Sequence, residues 1–189
     1  MGLNRREAIK KAAYVMGGAL TAPTIAGIMK GCAPTMEPNW KPDYFSKEQA
    51  VTIMELSECI LPATDTLGAK DLGVPRYIEE MVAVIYNRKN RESFMSGLQV
   101  FNKKVDDLFG KRFEELTDGQ KNQVVHEENE KLRTASERGW FYTMKELTIT
   151  GFFTSEYGAT KILQWQLVPV QWNGCIPVKE AGNGTRYFA

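Results

Sequence analysis

An all-α fold is what this sequence predicts: one small bundle of five to six helices with an irregular C-terminal tail. Three observations carry the expectation. Apolar residues recur three and four apart through much of residues 46–165, the spacing of helices that bury one face. Ser46 and Thr117 each stand three residues ahead of a glutamine, the arrangement in which a hydroxyl and an amide cap a helix start together. After Trp165 the helical spacing is lost, and Pro169 and Pro177 argue against a paired strand there.

The first helix opens behind Ser46. Ile53, Leu56 and Ile60 share a face, Met54 and Leu61 lie beside it, and Pro62 stops it. Cys59 falls on this apolar face and reads as a small buried hydrophobe. Residues 62–73 then form a connection longer than the two to eight residues usual between helices. Within it Asp65 and its flanking threonines suit tight turns closed by their own side chains. Pro75 suits the first turn of the second helix. Ile78, Met81, Val82, Ile85 and Tyr86 give that helix a buried stripe.

Residues 91–109 form a third helix, with Phe94, Leu98, Phe101, Val105 and Leu108 inward and Gly110 at its end. The fourth, to about residue 133, is mostly charged and reads as an outer element, with Val124, Val125 and Leu132 as its apolar residues. Residues 140–153 are aromatic and apolar and read as a central fifth helix. Ser155 caps a short sixth through residue 163.

The N-terminal 31 residues are of a different kind. Arg5-Arg6, followed by Ile9 and Lys10, resembles a twin-arginine export signal, although Asn4 and Ala8 depart from the pattern. The apolar stretch 12–29 holds Gly17, Gly18, Pro23 and Gly27, too broken for a stable membrane helix and suited to a removable signal. Cys32 follows Met29 and Gly31, which suit a lipid-attachment site, and Lys30, which does not. It is either lipidated or an ordinary residue near a cleavage point. Residues 32–45, with three prolines, read as a tether. The domain proper is then 46–165, and 166–189 is a tail packing on the domain or on a partner. The expected location is the periplasm. The twin-arginine route carries folded proteins, so a cofactor or a partner is expected to travel with this chain.

Charge excludes one class of partner. The chain carries 24 basic and 23 acidic side chains. Residues 1–31 hold Arg5, Arg6, Lys10, Lys11, Lys30 and Glu7, so the remainder has 19 and 22, a net charge of −3. Acids and bases alternate without a basic face, which argues against nucleic acid.

Catalytic patterns are missing. His126 is the one histidine, set among Glu127, Glu128 and Glu130 on a charged helix, and reads as part of a solvated face. There is no haem-attachment pattern, nucleotide-binding glycine pattern or cysteine cluster, and no Ser/His/Asp set can be assembled. Glu146 and Glu156 flank the aromatic helix and read as buried structural acids. Cys59 and Cys175 either bridge each other, or Cys59 is buried and Cys175 is left to pair across an interface. An export signal for folded cargo without a catalytic set favours an accessory subunit.

Three stretches carry a family resemblance: Ile60-Leu61-Pro62-Ala63-Thr64-Asp65-Thr66 continuing through Gly68-Ala69-Lys70-Asp71 to Gly73-Val74-Pro75; Gly151-Phe152-Phe153-Thr154-Ser155-Glu156-Tyr157-Gly158-Ala159-Thr160-Lys161; and Pro169-Val170-Gln171-Trp172-Asn173-Gly174-Cys175-Ile176-Pro177. Together they resemble the gluconate 2-dehydrogenase subunit 3 family. Leu67 stands where that family usually has proline.

The resemblance implies a non-catalytic small subunit with no cofactor of its own. Its partner would be a glucose-methanol-choline-type flavoprotein that binds FAD and oxidises a sugar, with a c-type cytochrome carrying haem, or another acceptor, taking the electrons. The small subunit would escort the flavoprotein through export and stabilise it. Candidate contacts are Asp65 and Thr66 in the long loop, with Trp165, Trp172, Cys175 and Ile176 in the tail; alternatively the tail wraps its own helices and Trp172 is core. Two other readings stand beside this one. One is a stand-alone periplasmic lipoprotein that binds a small ligand. The other is an enzyme with a site around Asp65, Glu156 and His126.

Overall fold

The computed structural model describes residues 37–134 and 139–163, with Cys175 and Pro177. Arg5, Arg6, Cys32, Trp165, Trp172 and Ile176 lie outside the described residues. Every regular element among those described is helical, as the sequence predicts.

Helix α1 (Lys47–Ile60) starts with the expected box: the Gln49 N–H donates to the Ser46 hydroxyl at 3.2 Å, and the Ser46 N–H donates to the Gln49 side chain at 3.0 Å. All residues from Ala50 to Ser57 are buried. A helix covered all round is a central rod rather than a surface element. Gly73, in the left-handed region at φ 69°, opens α2 (Val74–Glu80), and Pro75 sits in its first turn.

At Met81–Ile85 α2 widens into a π-turn. This overturns part of the expected stripe. Ile78 and Val82 are fully buried and Met81 and Tyr86 half-buried, but Ile85 is 65% exposed and Val84 74%. The wider turn takes an extra residue and rotates Val84 and Ile85 off the packed face. Arg91 satisfies the carbonyls released there, donating to Val82 at 3.1 Å, Ala83 at 2.7 Å and Tyr86 at 3.2 Å.

Helix α3 (Arg88–Phe109) begins earlier than expected because Asn87 caps it, accepting from the Asn90 N–H at 2.9 Å. Phe94, Leu98, Phe101 and Val105 are buried, but Leu108 is not. At about 100° per residue Leu108 falls about 60° off Val105, at the edge of the stripe. Phe109 lies on the opposite edge, about 40° off Val105, and is half-buried. Gly110, at φ 61°, ends the helix. A short 3₁₀ turn (Phe113–Glu115), absent from the sequence expectation, buries Phe113 completely.

Helix α4 (Asp118–Thr134) has the expected Thr117–Gln120 bonds. It buries Val124 and Val125, and also the charged Lys121. Helix α5 (Trp140–Thr154) packs on α1, α2, α3 and α4, so it is central as predicted. Trp140 joins Phe94 and Phe101 in an aromatic row that Phe113 extends, with ring centroids 5.3–5.8 Å apart. The Ser155 hydroxyl then accepts from the Gly158 N–H at 3.0 Å. The segment expected as a sixth α-helix closes as a π-turn (Gly158–Ile162). A Cβ on Gly158 would strike the backbone of Phe152 and Phe153, so only glycine allows this return.

The packed body reaches back past Ser46 into the expected tether. Phe45 is core, 5% exposed. The cause is Glu79, itself 5% exposed. Its Oε1 accepts from the backbone N–H groups of Asp43, Tyr44 and Phe45 at 3.0, 2.7 and 2.9 Å, and its Oε2 from the Trp40 indole at 2.6 Å. No helix among the described residues is long and apolar enough to cross a membrane.

Candidate functional site

The long loop between α1 and α2 is pinned from below and bare above. Its neck closes where the Ala69 N–H donates to the Leu61 carbonyl at 2.9 Å. Ala69 is fully buried, and its own carbonyl accepts from the Val74 N–H at 3.1 Å. Beneath the neck, Glu58 uses both carboxylate oxygens, accepting from the N–H of Ala63 and of Lys70, each at 2.9 Å. Gly68 lies over this carboxylate, and a Cβ there would stand 2.6 Å from the Ala63 nitrogen. Within the loop the Thr64 hydroxyl donates to Asp65 at 2.9 Å and the Thr64 N–H to the Thr66 carbonyl at 3.0 Å. The turn is thus closed backbone to backbone, with a side-chain pair beside it, rather than by side chains bonding the backbone as the residue types suggest.

One turn earlier on α1, Glu55 lies on the same face as Glu58. Its Oε1 accepts from the Lys70 ammonium at 2.6 Å and its Oε2 from the Lys121 ammonium of α4 at 2.7 Å. Glu55 and Lys121 are each only 6% exposed. Burial raises the Glu55 carboxyl, but the two ammoniums outweigh it and hold it below the ordinary carboxylate value. Glu79 follows the same logic: burial raises it, and the Trp40 indole with the three backbone donors brings it lower.

Both acids therefore fold in their charged form. Their contribution is present above the unfolded carboxyl value of about 4.3 and is lost as pH falls through the lower folded values. Unfolding free energy is expected to be nearly level at neutral pH and to drop steeply below about pH 4.3. Denaturant titrations across the acid range check this, and in Glu79→Gln part of the drop should be gone.

Asp65 and Thr66 sit where the sequence placed them, at the outer edge of the loop, with Asp65 exposed and Thr66 half-buried. Pro62, Ala63, Thr64 and Leu67 share that exposed edge. Cys175 is an exposed free thiol and Cys59 a half-buried free one, so the two do not bridge each other. Burial pushes the Cys59 thiol up to about 11, which keeps it protonated and unreactive. Two other expectations are corrected. Glu146 and Glu156 are exposed, whereas Glu55 and Glu79 are buried. The available signal was an acid inside an apolar stripe: Glu55 between Met54 and Leu56, Glu79 beside Ile78.

His126 is exposed on α4. No group of three or more His, Cys, Asp or Glu among the described residues is placed to hold a metal ion. A cleft of about 570 Å³ opens between α4 and α5, walled by Leu132, Tyr142, Lys145 and Ile149.

The family model described as gluconate 2-dehydrogenase subunit 3 matches residues 47–171. The chain belongs to the gluconate 2-dehydrogenase subunit 3 family. No curated protein and no solved structure matches it. The family match opens at Lys47, the first residue of α1, and takes in the whole pinned loop. Glu55, Glu58 and Lys121 hold that loop in this family member together with Lys70, which lies in the first of the stretches that carry the resemblance.

Proposed function

We propose that this chain is a non-catalytic small subunit that escorts, exports and stabilises an FAD-dependent sugar or glycoside dehydrogenase of the glucose-methanol-choline type. The observation that carries the reading is membership of a family described as a dehydrogenase subunit. The FAD and the sugar oxidation belong to the large subunit, and a c-type cytochrome accepts the electrons. The rigid loop supports the reading, because it presents Pro62, Asp65 and Leu67 outward on a fixed frame and such irregular segments commonly carry contacts. The tail with Trp165, Trp172, Cys175 and Ile176 supplies a second contact. Arg5 and Arg6 direct the folded pair through the twin-arginine route to the periplasm, and a lipid on Cys32 holds it at the membrane.

The experiment is Arg5→Lys with Arg6→Lys in cells that also make the flavoprotein. Both proteins are expected to stay in the cytoplasmic fraction, with periplasmic dehydrogenase activity falling at least tenfold. A flavoprotein that still reaches the periplasm overturns the escort role.

A further inference from the structure

We infer that Glu55, Lys70 and Lys121 form a strut that fixes the exposed loop edge 62–67 in the shape the dehydrogenase subunit reads, with Lys70 as a positioning residue for assembly. The inference rests on the partner reading above and names the device behind it.

Lys70 is held at its backbone and at its ammonium. Its N–H donates to Glu58 at 2.9 Å, its carbonyl accepts from the Asn39 amide at 3.1 Å and from the Gly73 N–H at 3.3 Å, and its ammonium meets Glu55 at 2.6 Å. Asn39 belongs to the N-terminal segment, so one residue ties α1, the loop and that segment together. Lys121 reaches the other oxygen of Glu55 from α4, 66 positions away in sequence, which fixes the carboxylate from behind. The neck bond from Ala69 to Leu61 encloses 62–68, a compact loop whose ends meet.

Fold stability alone does not account for this arrangement. A buried ion pair can often be replaced by apolar side chains of similar volume without loss. The exposed Pro62, Ala63, Thr64, Asp65 and Leu67 add nothing to the core, yet a set of hydrogen bonds and an ion pair fixes the segment that carries them. An outward edge already ordered before contact loses less freedom on binding, which is what a recognition element needs.

The two lysines divide the work. Lys121 is buried and serves the fold as well as the loop. The Lys70 side chain is 34% exposed, so water can take the place of its ammonium beside the Glu55 Oε1 when the charge is removed, which the buried Lys121 side does not allow. Removing its charge loosens the loop and leaves the core intact.

The test uses the full chain and the purified flavoprotein subunit, with Lys70→Met, Lys70→Arg and Leu67→Ala. In Lys70→Met, amide hydrogen exchange at Ala63 and Ala69 should quicken at least tenfold while the amides of Leu98 and Phe101 in α3 stay as they were. The dissociation constant for the flavoprotein should rise five- to tenfold. Lys70→Arg keeps the charge and should restore both readings to within about twofold. Leu67→Ala should weaken binding with loop exchange unchanged.

Unchanged exchange at Ala63 and Ala69 in Lys70→Met overturns the strut. Quicker exchange with undiminished affinity overturns its role in assembly while the escort reading survives. A wild-type chain that does not bind the flavoprotein removes the escort reading and this inference together.

Discussion

Glu79→Ala is expected to lower the unfolding free energy by about 3–5 kcal/mol, because it leaves four buried N–H donors without their acceptor. Glu79 accepts four N–H groups while almost completely buried. A hydrogen bond to a charged group contributes about 1.5–3 kcal/mol, but the four are not additive. The chain has an escape that caps the cost: residues 40–45 peel away and their N–H groups find water. That escape exposes Phe45, whose burial contributes about 1.5–3 kcal/mol, and frees the Trp40 indole. Glu79→Gln keeps one carbonyl acceptor and should lose less. Guanidinium denaturation gives the magnitude. Limited proteolysis in residues 40–45 should cut Glu79→Ala at least tenfold faster than the parent. A loss below about 1 kcal/mol would mean that the segment rests on apolar packing and the carboxylate is incidental.

Lys121→Met is expected to cost about 3–5 kcal/mol, and adding Glu55→Leu should return more than half of it. The single variant leaves Glu55 buried with one oxygen unpaired and only Lys70 to balance it. The apolar stem of methionine fills the lysine channel beside the Phe113 ring, which Lys121 faces at 6.0 Å, so the loss is electrostatic rather than a cavity. In the double variant the buried charge is gone, and Lys70 turns to solvent. A four-way denaturation cycle measures the coupling. If the double variant is as weak as the sum of the singles, the pair acts through packing and the charges do not govern the site.

Periodicity made most of the fold legible, because burying one face of a helix is a local requirement written every three or four residues. Phe94, Leu98, Phe101 and Val105 fall where their spacing puts them. Ile85 does not, because a π-turn inserts a residue that no spacing rule announces, and Arg91 then caps the carbonyls it frees. The segment at Gly158 fails as an α-helix for a related reason: its return path is set by contact with the Phe152 backbone, which only the folded chain defines.

The loop could be seen as a separate segment by its length and its turn-forming residues, so the place of Asp65 and Thr66 within it was legible. The frame under it was not. An acid on a helix reads as solvent-facing unless its partners are known. Those of Glu55 lie 15 and 66 positions away, and those of Glu79 lie 34 to 39 positions upstream. Glu146 and Glu156 show the converse, since aromatic neighbours in sequence did not become neighbours that cover them.

The 66-residue gap between Glu55 and Lys121 also sets a schedule during synthesis. At about 5–20 residues per second, a ribosome adds Lys70 within about 1–3 s of Glu55, but Lys121 only after about 3–13 s. Through that interval the carboxylate has one counter-charge and the nascent loop lacks its rear support. A chain still being translated therefore presents an unfinished loop edge, and the completed one appears only after α4 has left the ribosome.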